Sequence, residues 1–315
     1  MKQIIKSAEK NKVAIGHFNI SDLTALKAIF EAAKGLKVPV IIGTSRGEAD
    51  FLDRNEAAAL VKTLREENDF PIFLNADHAH SLKEVKEAVE AGYDAVLFDA
   101  GKLSLDENIK QTKIAVELIR AMNPNVLIEG ELGFIGGSSK MLEKLPEDIS
   151  EMTSPEDAAR FVKETGIDLL APAVGNIHGI LMRTNADLMR RPKGRASSSA
   201  GTNAEKGSQR SRLKSAESAN PPLDIKRIKD IRKVAGVPLV LHGGSGISDS
   251  DFKKAIAAGI SIIHINTELR VAWRKGIEEG LKENPGEIAP YKVLPEAVEK
   301  IKEVVKRRLQ LFNKP

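Results

Sequence analysis

Along the chain, short and almost continuously apolar runs alternate with amphipathic stretches. The runs Val13–Ile20, Val38–Ser45, Pro71–His78, Ala95–Gly101, Asn125–Gly133, Leu169–Gly175, Val237–Gly243 and Ile262–Leu269 predict eight strands. Unbroken apolarity is what parallel strands need when both of their faces are buried. The stretches between them predict helices, some with legible starts. Ser81-Leu82-Lys83-Glu84 and Ser154-Pro155-Glu156-Asp157 read as capping boxes, the second with proline at the first helical position, and Ser248–Asp251 repeats the pattern. Eight strands, each followed by a helix, predict an α/β chain folded as a (β/α)8 TIM barrel rather than a doubly wound sheet. At the end of the chain, Ala297, Ile301, Val304, Val305 and Leu309 recur at helical spacing. That helix would close the barrel or pack on a partner subunit.

One segment breaks the alternation. From Arg183 to about Asn220 the chain is rich in Ser, Ala, Gly, Lys and Arg. Such a composition buries too little apolar surface to offset its ordering entropy. The reading is one TIM-barrel domain over 1–315, with a disordered basic insertion at 183–220 in the loop after strand six. Charge supports the division. The segment holds nine Lys and Arg against Asp187, Glu205 and Glu217, a surplus of six, so the rest of a chain whose formal charge is +4 stands at −2. The segment has no Phe, Tyr or Trp, hence no platform for stacking bases, which argues against a nucleic-acid partner.

Composition narrows the chemistry further. The 315 residues are 42% hydrophobic and 29% charged, as in a soluble globular protein, and none is cysteine. Disulfide frameworks, cysteine-bound zinc and thiol nucleophiles are excluded. No apolar run approaches the roughly 20 residues of a membrane helix, and the first residues lack the apolar core of a signal peptide. The expectation is a cytoplasmic protein with no membrane partner.

In a barrel, the C-terminal ends of the strands carry the active site. All six histidines, His17, His78, His80, His178, His242 and His264, fall near predicted strand ends. Several imidazoles around one axis, with no cysteine, point to zinc or a similar divalent ion with an open coordination position. Acids end strands too: Asp77, Asp99, Glu129 and Glu131. A carboxylate there is costly without a metal or hydrogen bonds, and alternation puts Glu129 and Glu131 on one face. Two elements suit phosphate. One is the nest Gly243-Gly244-Ser245 after strand seven, where glycine allows close backbone approach, and the other is Asn266-Thr267, leading into a helix N-terminus after strand eight.

Five blocks together are specific: Asn75-Ala76-Asp77-His78, Glu129-Gly130-Glu131-Leu132-Gly133, Gly175-Asn176-Ile177-His178-Gly179, Leu241-His242-Gly243-Gly244-Ser245 and Asn266-Thr267-Glu268-Leu269. Through them the chain resembles the class II, metal-dependent aldolases of fructose and tagatose bisphosphates, over nearly its whole length outside the basic segment. The resemblance implies a catalytic zinc on His78, His178 and His242. Asp99 and Glu131 would offer an alternative or second metal position, with a second divalent ion or a monovalent cation as further occupant. Gly179, Gly243, Ser245 and Thr267 would hold the phosphate of dihydroxyacetone phosphate, with Ser45 on the substrate side. The metal would chelate that substrate and stabilise the enediolate, while Asp77 would exchange a proton with the aldehyde oxygen.

The implied activity is aldol cleavage and condensation of a ketose 1,6-bisphosphate, fructose 1,6-bisphosphate first and tagatose 1,6-bisphosphate as the alternative. The partner is a small sugar phosphate, and the assembly a homodimer or homotetramer. Three departures from the family pattern stand out. Gly136-Gly137 is followed by Ser138-Ser139-Lys140 where many members carry an acid assigned to proton abstraction, with Glu143 as a substitute nearby. His264 occupies a strand-eight position usually held by Asn, a substrate contact. The basic segment enters just after His178-Gly179. The altered strand-five loop keeps a second possibility open, a degenerate homologue that binds metal and sugar phosphate with weak turnover.

Overall fold

The computed structural model describes residues 1–137, 139–147, 151–182 and 220–314. Eight parallel strands close into a barrel: β1 (Ile15–Asn19), β2 (Val40–Ser45), β3 (Ile72–Ala79), β4 (Ala95–Phe98), β5 (Leu127–Leu132), β7 (Leu169–Pro172), β9 (Leu239–Leu241) and β10 (Ile260–Ile265). They neighbour one another in chain order, with β10 pairing back on β1. The predicted TIM barrel is therefore the observed one. A short parallel ribbon, β6 (Met141–Leu142) with β8 (Ile180–Leu181), joins the loops after β5 and β7 outside the barrel.

Alternation along the strands divides the barrel into a dry floor and a polar upper half. Ile15, Ile41, Phe73, Ala95, Leu127, Leu169, Val240 and Ile262 pack as one interior cluster, which Ile5 and Ala8 of the helix Lys2–Asn11 join from below. Two residues further along the same strands come His17, Gly43, Asn75, Leu97, Glu129, Ala171, His242 and His264. The outer faces of the strands carry the larger core against the ring of helices.

Helix starts agree with the sequence pattern in part. Ser81, Ser154 and Ser248 each accept the N–H three residues on, from Glu84, Asp157 and Asp251. The reciprocal bond expected at Ser81 goes elsewhere, because the Glu84 carboxylate takes the His80 N–H at 2.7 Å. The eighth strand ends at Ile265 rather than Leu269, since Thr267 begins a helix to Glu283 that buries Leu269 and Ala272. The final helix, Pro290–Phe312, lies against that helix and against Leu23–Leu36. Gly276 lets it approach, as a Cβ there would fall 2.3 Å from Ala297 Cα.

The expected basic insertion at 183–220 lies outside the described residues except for Asn220, and there the expectation needs correcting. Asn220 is buried and belongs to the folded body. Its amide is a poor fit to solvent and a good one to the three backbone groups that meet it, described below. Among the described residues, no helix is long and apolar enough to cross a membrane.

A buried ion pair ties the final helix to the top of the barrel. Arg308 grips both oxygens of Glu268 (Nη2–Oε1 2.6 Å, Nε–Oε2 2.9 Å) and reaches Asp249 at 2.8 Å. Burial alone would raise the Glu268 carboxyl, but the Arg308 guanidinium outweighs it and holds the pKa below the ordinary value. A depressed carboxylate stabilises the fold above its unfolded pKa, and that stability is lost as pH falls through the folded value. Glu268→Gln should thus cost about 3–5 kcal/mol near neutrality, because it takes from a buried guanidinium its buried carboxylate and leaves it only the exposed Asp249. In urea melts, the gap between wild type and variant should narrow below pH 4.5, the ordinary value for this group. A gap that stays constant or widens on acidification would refute the assignment.

Candidate active site

The upper half of the barrel opens into a cavity of ≈ 520 Å³. Its first component is a cluster of imidazoles. His78, His178 and His242 have ring centroids 5.0, 5.0 and 5.9 Å apart, and with Glu131 they present ligand atoms within 4.8 Å of one another. His78 Nε2 and His242 Nδ1 face each other at 3.3 Å. The remaining ring nitrogens of these two are already taken. Asp99 Oδ2 meets His78 Nδ1 at 2.8 Å, and Glu129 Oε1 meets His242 Nε2 at 2.7 Å. A carboxylate behind each imidazole fixes its tautomer and turns the other nitrogen toward the common centre. His178 Nε2 and Glu131 Oε2 are buried and have no partner.

Electrostatics follow from this crowding. Burial disfavours charge on His78, yet the carboxylates of Asp77, Asp99 and Glu131 overcome it and raise the imidazole to about 10. Burial lowers His178 to about 3, helped by the neighbouring His78 and His242. Glu131 is pushed up to about 8, by burial first and then by Asp99. Asp77 moves the other way. Burial opposes its charge, but His78 and His264 hold its carboxyl well below the usual range.

Asp77 and His78 are adjacent in sequence and would point to opposite faces of a regular strand. Ending the strand at His78 would resolve this, but β3 continues to Ala79. The structure uses a bulge instead: register against β4 shifts between Ala76 and Ala79, and His78 adopts φ 60°. A left-handed residue inside a strand re-aims its side chain, and such strain concentrates at functional sites. Both side chains thereby reach the cavity.

The phosphate candidates also converge. Ser45, Gly179, Gly243, Gly244, Ser245, His264, Asn266 and Thr267 all line the same cavity as Asp77, His78, Asp99 and His178. Gly243 has φ 61° and a Cβ would fall 2.2 Å from Ile177 O; at Gly179 (φ 95°) it would fall 2.6 Å from Lys140 O. Only glycine fits either place. Ser245 Oγ accepts the N–H groups of Asn266 and Glu268, and Glu268 Oε1 accepts that of Gly246, so the two phosphate elements are one unit. Glu143 is exposed and lines neither this cavity nor its neighbour. Among the described residues, the carboxylates lining the main cavity are Asp77 and Asp99.

The chain is similar to known proteins over nearly its whole length. The profile of the family described as Fructose-bisphosphate aldolase class-II matches residues 1–193 and 207–315. The probable fructose-bisphosphate aldolase of Bacillus subtilis (strain 168) is 33% identical over 316 residues, covering 99% of this chain and 96% of its own. The fructose-bisphosphate aldolase of Geobacillus stearothermophilus is 32% identical over the same shares. Among solved structures, the YdjI aldolase from Escherichia coli K12 superposes with a TM-score of 0.73 at 27% identity, covering 99% of this chain and 96% of that one.

Sequence reasoning missed the struts of the site. Glu48, buried, accepts hydrogen bonds from Asn19 Nδ2 (2.8 Å), the Ser45 N–H (2.7 Å), Asn266 Nδ2 (3.2 Å) and Arg270 Nη2 (2.7 Å). Asn19 donates to Asp77 Oδ2 as well, at 2.8 Å. Asn176 Nδ2 holds the His242 carbonyl at 3.0 Å. Asn220 accepts the Leu181 N–H and donates to the carbonyls of Gly179 and Ser245. Asn220→Ala leaves three backbone groups without their side-chain partner, and each unpaired buried group costs about 1–3 kcal/mol. The variant should lose at least about 2 kcal/mol of unfolding free energy in chemical denaturation, and a loss within error of zero would show that water replaces the amide freely.

Proposed function

The chain belongs to the class II fructose-bisphosphate aldolases, a family of carbon–carbon lyases, and on that premise we propose that it cleaves fructose 1,6-bisphosphate to dihydroxyacetone phosphate and glyceraldehyde 3-phosphate and catalyses the reverse condensation. One observation carries the reading: three imidazoles and a buried glutamate, of which His178 Nε2 and Glu131 Oε2 lack a hydrogen-bond partner, adjoin the cavity that also holds a glycine-built anion cradle. The donor set, imidazole and carboxylate with no thiol, suits Zn2+. His78, His178 and His242 would hold it, with Glu131 beside them. Bound there, the ion supplies Lewis-acid polarisation of the substrate carbonyl.

The chain's own residues do the rest. Gly179, Gly243, Gly244, Ser245 and Thr267 take the carbon 1 phosphate through backbone N–H groups and hydroxyls, and Asn266 sits at the entrance of the helix whose N-terminus faces the anion. Ser45 contributes from the end of β2. In cleavage, Asp77 accepts the proton of the carbon 4 hydroxyl as the carbon 3–carbon 4 bond breaks; in condensation it returns that proton to the aldehyde oxygen. Its depressed pKa suits a group that begins as a carboxylate. Asp99 orients His78, since its two oxygens are engaged by His78 Nδ1 and the Gly101 N–H. Glu131 keeps a free oxygen and is the better candidate for an alternative metal position. A second reading, a homologue with slow turnover, is favoured by the lack of a carboxylate from the described strand-five loop in the main cavity. Assays of fructose and tagatose 1,6-bisphosphates, coupled to triose phosphate detection with and without chelator, separate these readings.

Two variants test the site. His242→Ala should lose bound zinc in elemental analysis, and cleavage should fall to the level of chelated wild type; full zinc and full activity in the variant would refute the ligand assignment. Asp77→Asn keeps the shape and removes the proton transfer, so cleavage should fall about 10²–10⁴-fold with zinc content unchanged. Loss of zinc in Asp77→Asn would instead assign Asp77 to holding a ligand in place.

A further inference from the structure

Three of the six histidines, His17, His80 and His264, have no part in that scheme. His80 is exposed, with Nδ1 3.2 Å from the Asp99 carbonyl. His17 is fully buried, one strand away from the site. It pairs in register with His264 across β1 and β10, and the two rings stack with centroids 3.5 Å apart and planes 3° apart. His264 stacks in turn on His242, at 4.0 Å and 28°. Gly43 on β2 makes the room, because a Cβ there would fall 2.2 Å from His17 Cε1. Asn75 Nδ2 lies 3.1 Å from His17 Nε2 and donates to it. His17, Asp77 and His264 also bring ligand atoms close together, but parallel rings at this spacing hold their lone pairs in parallel planes. Such lone pairs cannot converge on one ion, so this is a stack and not a second metal centre.

The tautomer of His264 follows from its neighbours. Its Nδ1 lies 3.4 Å from Asp77 Oδ1, and the carboxylate draws the ring proton to that nitrogen. Nε2 then carries the lone pair. It is buried, has no partner, and belongs to a residue of the cavity wall. A lone pair in that position accepts from a hydroxyl. The stack removes the freedom the ring would otherwise have about its side-chain torsions.

We infer that His17 is a positioning residue, which by stacking on His264 fixes Nε2 as the acceptor for a hydroxyl of the sugar phosphate, with Gly43 as the condition for the arrangement. The inference deepens the aldolase reading and rests on it for the identity of the hydroxyl compound. Through this stack His17 and His264 act as a coupled pair.

The test is a double-mutant cycle on the zinc-supplied enzyme with fructose 1,6-bisphosphate. His17→Ala alone should lower kcat/KM about tenfold, mainly through KM, because a hydroxyl contact made equally in ground and transition states is read there. In the His264→Asn background, His17→Ala should cost less than about twofold. Equal losses in both backgrounds would make His17 a packing residue only and overturn the inference. A second readout needs no turnover. Long-range ¹H–¹⁵N spectra, assigned by the signal lost in His264→Asn, should show His264 as the Nδ1–H tautomer in wild type and as a mixture in His17→Ala; unchanged spectra would also overturn it. If the wild type cleaves neither bisphosphate, the aldolase reading fails by itself, while the spectra still decide whether His17 positions His264.

Discussion

The constraint on which this structure rests is the two-residue alternation inside a closed barrel. Every second side chain of a barrel strand must share one interior, which water does not fill as it fills a surface groove. Below, that interior is apolar and sealed by the first helix. Above, the same alternation delivers His17, Asn19, Asn75, Asp77, Glu129, Glu131, His242 and His264, all buried. Groups of this kind are not tolerated in a low-dielectric space unless they pair. Most do so with one another, carboxylate to imidazole and amide to carboxylate. Among the described residues, the buried side-chain atoms left without a hydrogen-bond partner are His17 Nδ1, Asn19 Oδ1, Asn75 Oδ1, Asp77 Oδ1, Glu131 Oε2, His178 Nε2 and His264 Nε2. All belong to this one region. The unfinished pairing of the interior and the site of chemistry coincide.

Keeping such a region in shape falls to groups outside it. Glu48 gathers donors from β1, the start of the helix after β2, and the segment after β10, so three walls share one carboxylate. Glu268 and Arg308 hold the Gly243–Gly246 loop to the last helix of the chain. Asn220 does the same for the loops after β7 and β9. These are hydrogen bonds to backbone or between buried charges, where removal of one partner costs more than the bond itself contributes. Rigidity at the site is therefore bound up with global stability.

Much of this was legible in the sequence because it follows from periodicity. Eight apolar runs with intervening amphipathic stretches led to the barrel, and many of the chemistry-bearing residues at the ends of those runs line one cavity, the candidate site. What could not be read depended on local departures from periodicity or on contacts between distant segments. The bulge that turns Asp77 and His78 together has no signature in Asn75-Ala76-Asp77-His78-Ala79, since nothing there is a glycine to mark the left-handed residue. Glu48 looks like any helical acid until its four donors, drawn from positions 19 to 270, are brought around it. Asn220 carried the composition of the basic segment, and composition says nothing about which single amide is buried. The stacked pair of His17 and His264 is visible only once strand one is known to close on strand eight.

The two sides of the cavity are held to different standards, and this bears on how specificity can vary on such a frame. The barrel side is built from strand ends whose polar groups are cross-linked, so an altered side chain there strands a buried partner. The opposite side is the loop after β5, joined to the loop after β7 by the short β6–β8 ribbon; the Lys102 ammonium, from the loop after β4, lies over its Phe134 ring at 4.3 Å. Lys102, Phe134, Gly137 and His178 are shared with an adjoining cavity of ≈ 410 Å³. A cation resting on an aromatic face at a half-open wall can be replaced without leaving a buried charge unpaired. Changes that adapt the far end of a substrate are thermodynamically cheap on this wall and expensive on the other. His264 is the exception that supports the rule: a ring on the barrel side came with its own stacking partner and with a glycine to make room for it.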